Sequence, residues 1–582
     1  MAGFLFFMGI WKSCFHNFSV IGFCFIKKPV GKGERMKGFQ TLFGVILGLF
    51  LMGWIMAGCS GPEEAAHPGN EPESAAPVHG GIYRMPLWNN PETLDPARVK
   101  DQYGAAVVRQ VFEGLVRFDS YLTVLPALAR TWQVEAEGRV YRFTLRENAR
   151  FHNGDPVTAA DVVFSISRRL RLNPAPSVLP HLMKITGAEA FRSQDQDRVE
   201  GLTVIDPHTV EIRLVSPHMP LLTALGMHEV AILPQKIVED STSEFARHPL
   251  GTGPFRFVKW DPDRSIDLER FDGYFGEPAL LEGIHFKIYA GGQDPAVLAD
   301  FQHRKIDEMA VYGDVREKLA DQADVQWFHR PSLSLFFYGM NCDHPHLTHP
   351  EFRKALSAAI DRTAFVAQVY NGQFDIARTI LPPGMPGYSP ASPLPDNDPD
   401  LARQHLDQAL ADGLDQVPEL ELVSAFQTSR VAAEMEMIKA FWAKLGVGVR
   451  VRYITDWAEF ETYIRSDAVQ LYRYAWFADM PDPDSILHPL FASGSPNNFM
   501  QYHDPVTDDL LRQARETIDP LARAEVYQKA EAQITASLPL VPLFYMSVDR
   551  VYQPDVRGIQ VSALGAHAMP LNQVWLDPSA MP

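Results

Sequence analysis

The sequence predicts a mixed α/β or α+β body of two or three domains, carried behind an apolar export leader. Three observations predict it. Short alternating runs stand beside runs at helical spacing, several hundred residues follow the leader, and no cysteine pair is left to staple a smaller fold.

The leader comes first. Residues 39–57 are apolar, and the run ends in Met56, Ala57, Gly58 and then Cys59. Small residues followed by cysteine mark the cleavage and acylation site of bacterial lipoproteins, although the strict pattern prefers Leu where this chain has Met56. An uncleaved transmembrane anchor is the alternative, because the run is about long enough to span a bilayer. Residues 1–58 are therefore expected to be a signal peptide and Cys59 the lipidated residue. Met36 and Lys37 with the run behind them already make a complete signal, so translation is expected to start at Met36. The Phe-rich stretch upstream, with Lys27, Lys28, Lys32 and Arg35, is then a gene-boundary artefact. The body is expected outside the cytoplasm and lipid-anchored to the cell envelope, in the periplasmic space if the cell is Gram-negative.

Charge narrows the partners. The chain carries a formal −18, and residues 1–58 hold Lys12, Lys27, Lys28, Lys32, Arg35 and Lys37 against Glu34 alone. The rest has 47 basic and 70 acidic residues, a net of −23. Such a body repels phosphate backbones and anionic lipid, which argues against nucleic-acid binding and leaves membrane contact to the lipid anchor. Of the four cysteines, Cys14 and Cys24 lie in the leader, Cys59 is the acylation site, and Cys342 has no partner.

Residues 59–81, rich in Pro, Gly, Ala and Glu without apolar periodicity, read as a flexible tether after the cysteine. Beyond it the elements alternate. Residues 140–146 have the period of a half-buried strand, and Thr158 with Asp161 is a capping-box spacing that opens a helix through Val162, Phe164 and Ile166. Phe352, Leu356 and Ile360, then Val366, Val369 and Tyr370, recur at helical spacing until Asn371-Gly372 stops them. Asp519-Pro520 begins another helix carrying Val526, Tyr527, Ala530 and Ile534.

Three stretches together resemble a known family. They are Pro126-Ala-Leu-Ala-Arg-Thr-Trp132 running into residues 141–164, then Gly251-Thr-Gly-Pro-Phe255 with Leu268-Glu-Arg270 and Gly273-Tyr-Phe-Gly276, and then Asn341, residues 352–361 and Leu381-Pro-Pro-Gly384. Matches continue through Trp442-Ala-Lys-Leu-Gly446, residues 476–484 and residues 539–545. The chain resembles bacterial extracellular solute-binding proteins of family 5, the oligopeptide- and dipeptide-binding lipoproteins of peptide ATP-binding cassette (ABC) transporters. The resemblance implies an α/β, two-lobed periplasmic-binding-protein fold with an extra inserted domain, closing around ligand by hinge motion. Carried over, the first lobe is 82–120, 241–330 and 541–582, the inserted domain 121–240, and the second lobe 331–540. Short peptides and the permease subunits of the importer are the implied partners, and a monomer the implied state.

A peptide presents an ammonium and a carboxylate, and burying either requires an opposite charge. By the resemblance, Asp479 receives the ammonium, Arg473 the carboxylate, and Trp476 borders a side-chain pocket. The backbone of Ala475, Trp476 and Phe477 pairs with the extended ligand as an added strand. Arg430 is a second candidate base, and Trp457 a candidate cleft-lining aromatic. Asp479 also reads as a turn residue, and Trp457 as a core aromatic. Cys342, His344, His346 and His349 have metal-ligand types, but two prolines interrupt them and no second cluster completes a standard spacing, so no metal is expected. Asp479, Asp482 and Asp484 lack the Gly and terminal Glu of a calcium loop. No phosphate-binding loop, zinc-protease or serine-hydrolase motif occurs, so neither an enzyme nor a cofactor is expected. A nickel chelate, haem, glutathione or an oligosaccharide is the alternative ligand, and a secreted hydrolase the alternative class.

Overall fold

The computed structural model describes residues 76–580 apart from 174–176, 241–243, 292–293, 312, 320–323, 392 and 566–567. The signal peptide, the Met36 start, Cys59 and the tether up to residue 75 lie outside the described residues. Among those described, no helix is long and apolar enough to cross a membrane.

Three sheets carry the body. In the first, Ile82–Leu87 runs parallel to Gly283–Ile288, followed by Ser265–Arg270 and Phe255–Asp261. The first strand thus pairs with a segment some two hundred residues further on. Between them in sequence lies an antiparallel sheet in the order Ala129–Glu135, Val140–Leu145, Thr209–Arg213, Leu202–Asp206. Strand Val140–Leu145 alternates as expected, burying Tyr141, Phe143 and Leu145 against helix Ala159–Arg171. The Asp161 carboxylate accepts from the Thr158 N–H at 2.9 Å and so caps that helix.

The third sheet has six strands in the order Asp375–Ile376, Leu540–Tyr545, Ser334–Met340, Leu471–Phe477, Glu419–Ser424, Gly448–Tyr453. Separate apolar cores cover its two faces. Period-two alternation sends Tyr472, Tyr474 and Trp476 into one of them, and Leu471 into the other.

A three-stranded ribbon, in which Ser547–Tyr552 also pairs with Glu308–Ala310, joins the part built on the first sheet to the third sheet. Gln326–Pro331 pairs with Ser547–Tyr552, and the same chains continue as Ser334–Met340 and Leu540–Tyr545. The crossings lie at Ser332 and Met546, where the Ser332 N–H donates to the Met546 carbonyl at 2.7 Å and the Met546 N–H to Ser334 Oγ at 3.0 Å. The return crossing is therefore a few residues later than the 540/541 border drawn from sequence, because Leu540–Tyr545 still pairs within the six-stranded sheet.

His329 clamps this ribbon. Its Nε2 is 2.9 Å from Asp375 and its Nδ1 2.5 Å from Asp549, which also accepts from Arg316 at 2.9 Å. Asp375 and Asp549 together raise the imidazole from its ordinary 6.5 to about 9. A histidine whose folded pKa is raised contributes its stability below the unfolded value and loses it as pH rises through the folded one. The expected result is thermal stability that declines between about pH 6.5 and pH 9. His329→Gln should flatten that slope in unfolding scans taken across the range.

Candidate functional site

A cavity of about 710 Å3 lies where these bodies meet. Its walls come from helix Gln102–Val111 (Ala105, Arg109), helix Ala159–Arg171 (Arg169), Glu229, the crossing residues Ser332 and Leu333, and Phe477, Ala478 and Asp479 at the end of strand Leu471–Phe477. Helix Gln102–Val111 is capped by Asp101, which accepts from the N–H groups of Tyr103 and Gly104 at 3.1 and 2.8 Å. At its other end the Gly251-Thr-Gly253 segment packs flush, the Gly253 N–H donating to the Val111 carbonyl at 2.8 Å. A Cβ on Gly253 would come within 2.4 Å of the Gln110 carbonyl, so only glycine lets the helix that carries Arg109 sit this close.

The three aspartates of residues 479–484 have different environments. Asp482 receives Arg523 twice, at 2.9 and 2.7 Å, and the Thr223 hydroxyl at 3.1 Å. Asp484 receives Arg515 at 2.6 and 2.8 Å, which holds its pKa well below the usual carboxylate range despite burial. These pairs fix the loop. The Asp479 carboxylate has no hydrogen-bond or ion-pair partner among the described residues; only its N–H is engaged, donating to Ser485 Oγ at 2.9 Å. Its side chain is open to the water of the cavity but flanked by protein, and that partial desolvation raises its pKa.

The other residues singled out from sequence lie around this point. Trp476 packs in a core of the six-stranded sheet and donates its indole N–H to the Ser485 carbonyl at 2.7 Å, so it braces the loop that presents Asp479. Phe477 is 54% exposed and lines the cavity. Strand Leu471–Phe477 pairs along its whole length with Ser334–Met340, but on its other edge it pairs only at Leu471 and Tyr472. The opposite edge at Ala475, Trp476 and Phe477 thus has no strand partner among the described residues. Trp457 is half-exposed and stacks on Tyr474 at 6.0 Å, outside the cavity lining.

Arg473 is already paired. Its Nε donates to both Glu434 oxygens at 2.9 and 3.0 Å, and its Nη2 approaches the Tyr370 hydroxyl at 3.3 Å. Arg430 is exposed and lies over the Tyr370 ring at 5.7 Å. Neither lines the cavity that holds Asp479. Sequence reasoning missed Arg109, Arg169 and Glu229, which do. Arg169 sits in a run with Arg168 and Arg171 in the last turn of its helix, where basic residues ordinarily complement the helix dipole, so nothing local sets it apart. Among the described residues no group of His, Cys, Asp and Glu is placed to hold a metal ion. Cys342 is pushed up to about 11 by burial.

A two-lobed α/β body with a water-accessible cavity where its parts meet defines the periplasmic-type solute-binding proteins. The description "Bacterial extracellular solute-binding proteins, family 5 Middle" matches residues 123–498, and the chain belongs to that family, which serves ABC importers. It is 27% identical over 484 residues to a dipeptide-binding protein of Escherichia coli, covering 78% of this chain and 88% of that one. It is 25% identical over 487 residues to heme-binding protein A of Haemophilus influenzae, covering 79% and 86%. A periplasmic murein tripeptide binding protein in its unliganded open form shares the fold at a TM-score of 0.78 and 22% identity, over 86% of this chain and 98% of that one.

Proposed function

We propose that this chain is the extracytoplasmic, lipid-anchored receptor of an ABC importer, that it captures short peptides between its lobes, and that it passes them as a monomer to the permease without catalysis. Cys59 is the anchor in this reading, residues 59–81 the tether, and the lobes and inserted domain are those drawn from the sequence with the return crossing at Met546. The single observation that carries the peptide assignment is the Asp479 carboxylate, without a partner among the described residues, at the cavity wall beside a strand edge at residues 475–477 that none of the described strands pairs. An ammonium matches the first and an extended backbone the second. Ligand then shifts an equilibrium between open and closed forms by its preference for the closed one.

Native mass spectrometry of the full chain, extracted in mild detergent from the membranes that produce it, tests the assignment. Retained masses in the range of short peptides are expected. A haem, nickel-chelate or sugar mass overturns it. Haem is the second reading, favoured by the likeness to heme-binding protein A at an identity close to that of the dipeptide-binding relative.

A further inference from the structure

We infer that the cavity wall carrying Arg169 and Arg109 is a carboxylate site, and that it receives the anionic group of the ligand whose ammonium Asp479 holds. The inference rests on the peptide reading above. Arg169 is only 5% exposed and lines the cavity, yet its guanidinium has no hydrogen-bond or ion-pair partner among the described residues, and its Nε is fully buried. Among the described residues the Arg109 Nε is likewise buried without a partner, and its Nη2 reaches only His228 Nδ1, at 3.5 Å.

The acids nearby do not satisfy this pair. Asp95 is occupied by Arg168 on both oxygens and by Arg98. Glu229 is the remaining one, and it accepts from the Ser177 hydroxyl at 3.0 Å. Both guanidiniums thus feel the field of Glu229, and Arg169 that of Asp95 as well, but neither carboxylate hydrogen-bonds either arginine among the described residues. Burial lowers both arginines' pKa, Arg109 to about 10, the signature of cations held without adequate compensation.

A largely buried guanidinium without a partner among the described residues is costly, and its fork of donors fits a carboxylate or a phosphate bidentately; of the two, a peptide offers the carboxylate. The bases singled out from sequence do not offer this. Arg473 is paired with Glu434, and Arg430 is exposed outside the cavity. A zwitterionic guest would therefore span the cavity from Asp479 on one wall to Arg169 and Arg109 on another, and its two charges would tie the six-stranded sheet to the bodies opposite. The carboxylate could be the peptide's own terminus or an acidic side chain; the chemistry recognised is the same.

Calorimetry on the full chain in detergent separates these cases, with di-, tri- and tetra-alanine, their C-terminal amides, and the amide of Ala-Glu-Ala as probes. The wild type is expected to bind a free acid at least about 30-fold more tightly than its amide, and Arg169→Met to lose that factor and stop discriminating. Arg169→Lys should recover part of it. If only Ala-Glu-Ala amide binds tightly, and Arg169→Met abolishes that, the carboxylate is a side chain's. A structural arginine would lower the thermal midpoint when replaced, whereas removing this unpaired one should leave the ligand-free midpoint unchanged or raise it. Full discrimination between acid and amide in Arg169→Met, with binding lost in Asp479→Ala, would overturn the carboxylate site and leave the peptide reading standing. Wild-type protein that binds none of the probes would overturn both.

Discussion

Asp479→Ala is expected to weaken peptide binding by roughly 2–5 kcal/mol, the effect of truncating one partner of a desolvated charge pair. Stability should not change with it. The carboxylate has no partner among the described residues, so its loss leaves no donor orphaned, and the thermal midpoint of the ligand-free variant should match that of the wild type. Asp482→Ala, three residues on, should behave in the opposite way, because it strips Arg523 and the Thr223 hydroxyl of their acceptor. Calorimetry beside thermal unfolding on both variants checks the contrast, and equal peptide affinity in Asp479→Ala and wild type removes Asp479 from the site. Acidification gives a second check. Partial desolvation raises the Asp479 pKa above the ordinary 3.8, and only the ionised form attracts an ammonium. Affinity should therefore begin to fall at a higher pH than a solvated aspartate would dictate, and Asp479→Asn should bind weakly with a flat profile.

Local pattern explains what was legible in the sequence. The Thr158 and Asp161 cap, the alternation of Val140–Leu145, and the Asp519 cap that accepts from the Ala522 N–H at 2.8 Å are all set within a few residues, so reading along the chain finds them. Asp479 was placed by its distance from Trp476 within a recognisable motif, and the structure adds what the motif cannot contain, the long-range partners. Of the nearby acids, Asp482 and Asp484 are satisfied by Arg523 and Arg515 on following helices, which leaves Asp479 as the one whose carboxylate is unpaired among the described residues. The arginines divide in the same manner. Arg168 reaches Asp95, 73 residues away, whereas the adjacent Arg169 turns to the cavity wall. Neighbours in one basic run thus take opposite roles according to which helix face meets the rest of the fold. The alternation that directs Trp476 into the core was readable in principle. Reading it would have assigned the tryptophan to bracing the loop before any pocket was considered.

Glu434→Ala is expected to destabilise the body by about 3–5 kcal/mol, because it removes the counter-charge of a largely buried arginine. Glu434 is fully buried in helix Ser429–Ala443 and accepts from Arg473 on both oxygens, from Tyr338 at 2.7 Å and from Tyr370 at 2.7 Å. With alanine there, a guanidinium and two hydroxyls lose their acceptor while water stays excluded. Glu434→Gln keeps one oxygen and should lose less. The double variant Glu434→Met with Arg473→Met should regain most of the loss, since a buried pair replaced by apolar groups of similar volume is often neutral. Thermal unfolding of the two single variants and the double variant measures that coupling. The double variant also bears on the ligand. If Arg473 served the peptide's carboxylate, its removal would weaken binding even in the stability-restored background. If the carboxylate goes to Arg169 and Arg109, the restored protein should bind peptide as the wild type does, because Arg473 is then a member of the core beneath the strand that carries Phe477 and Asp479 to the cavity.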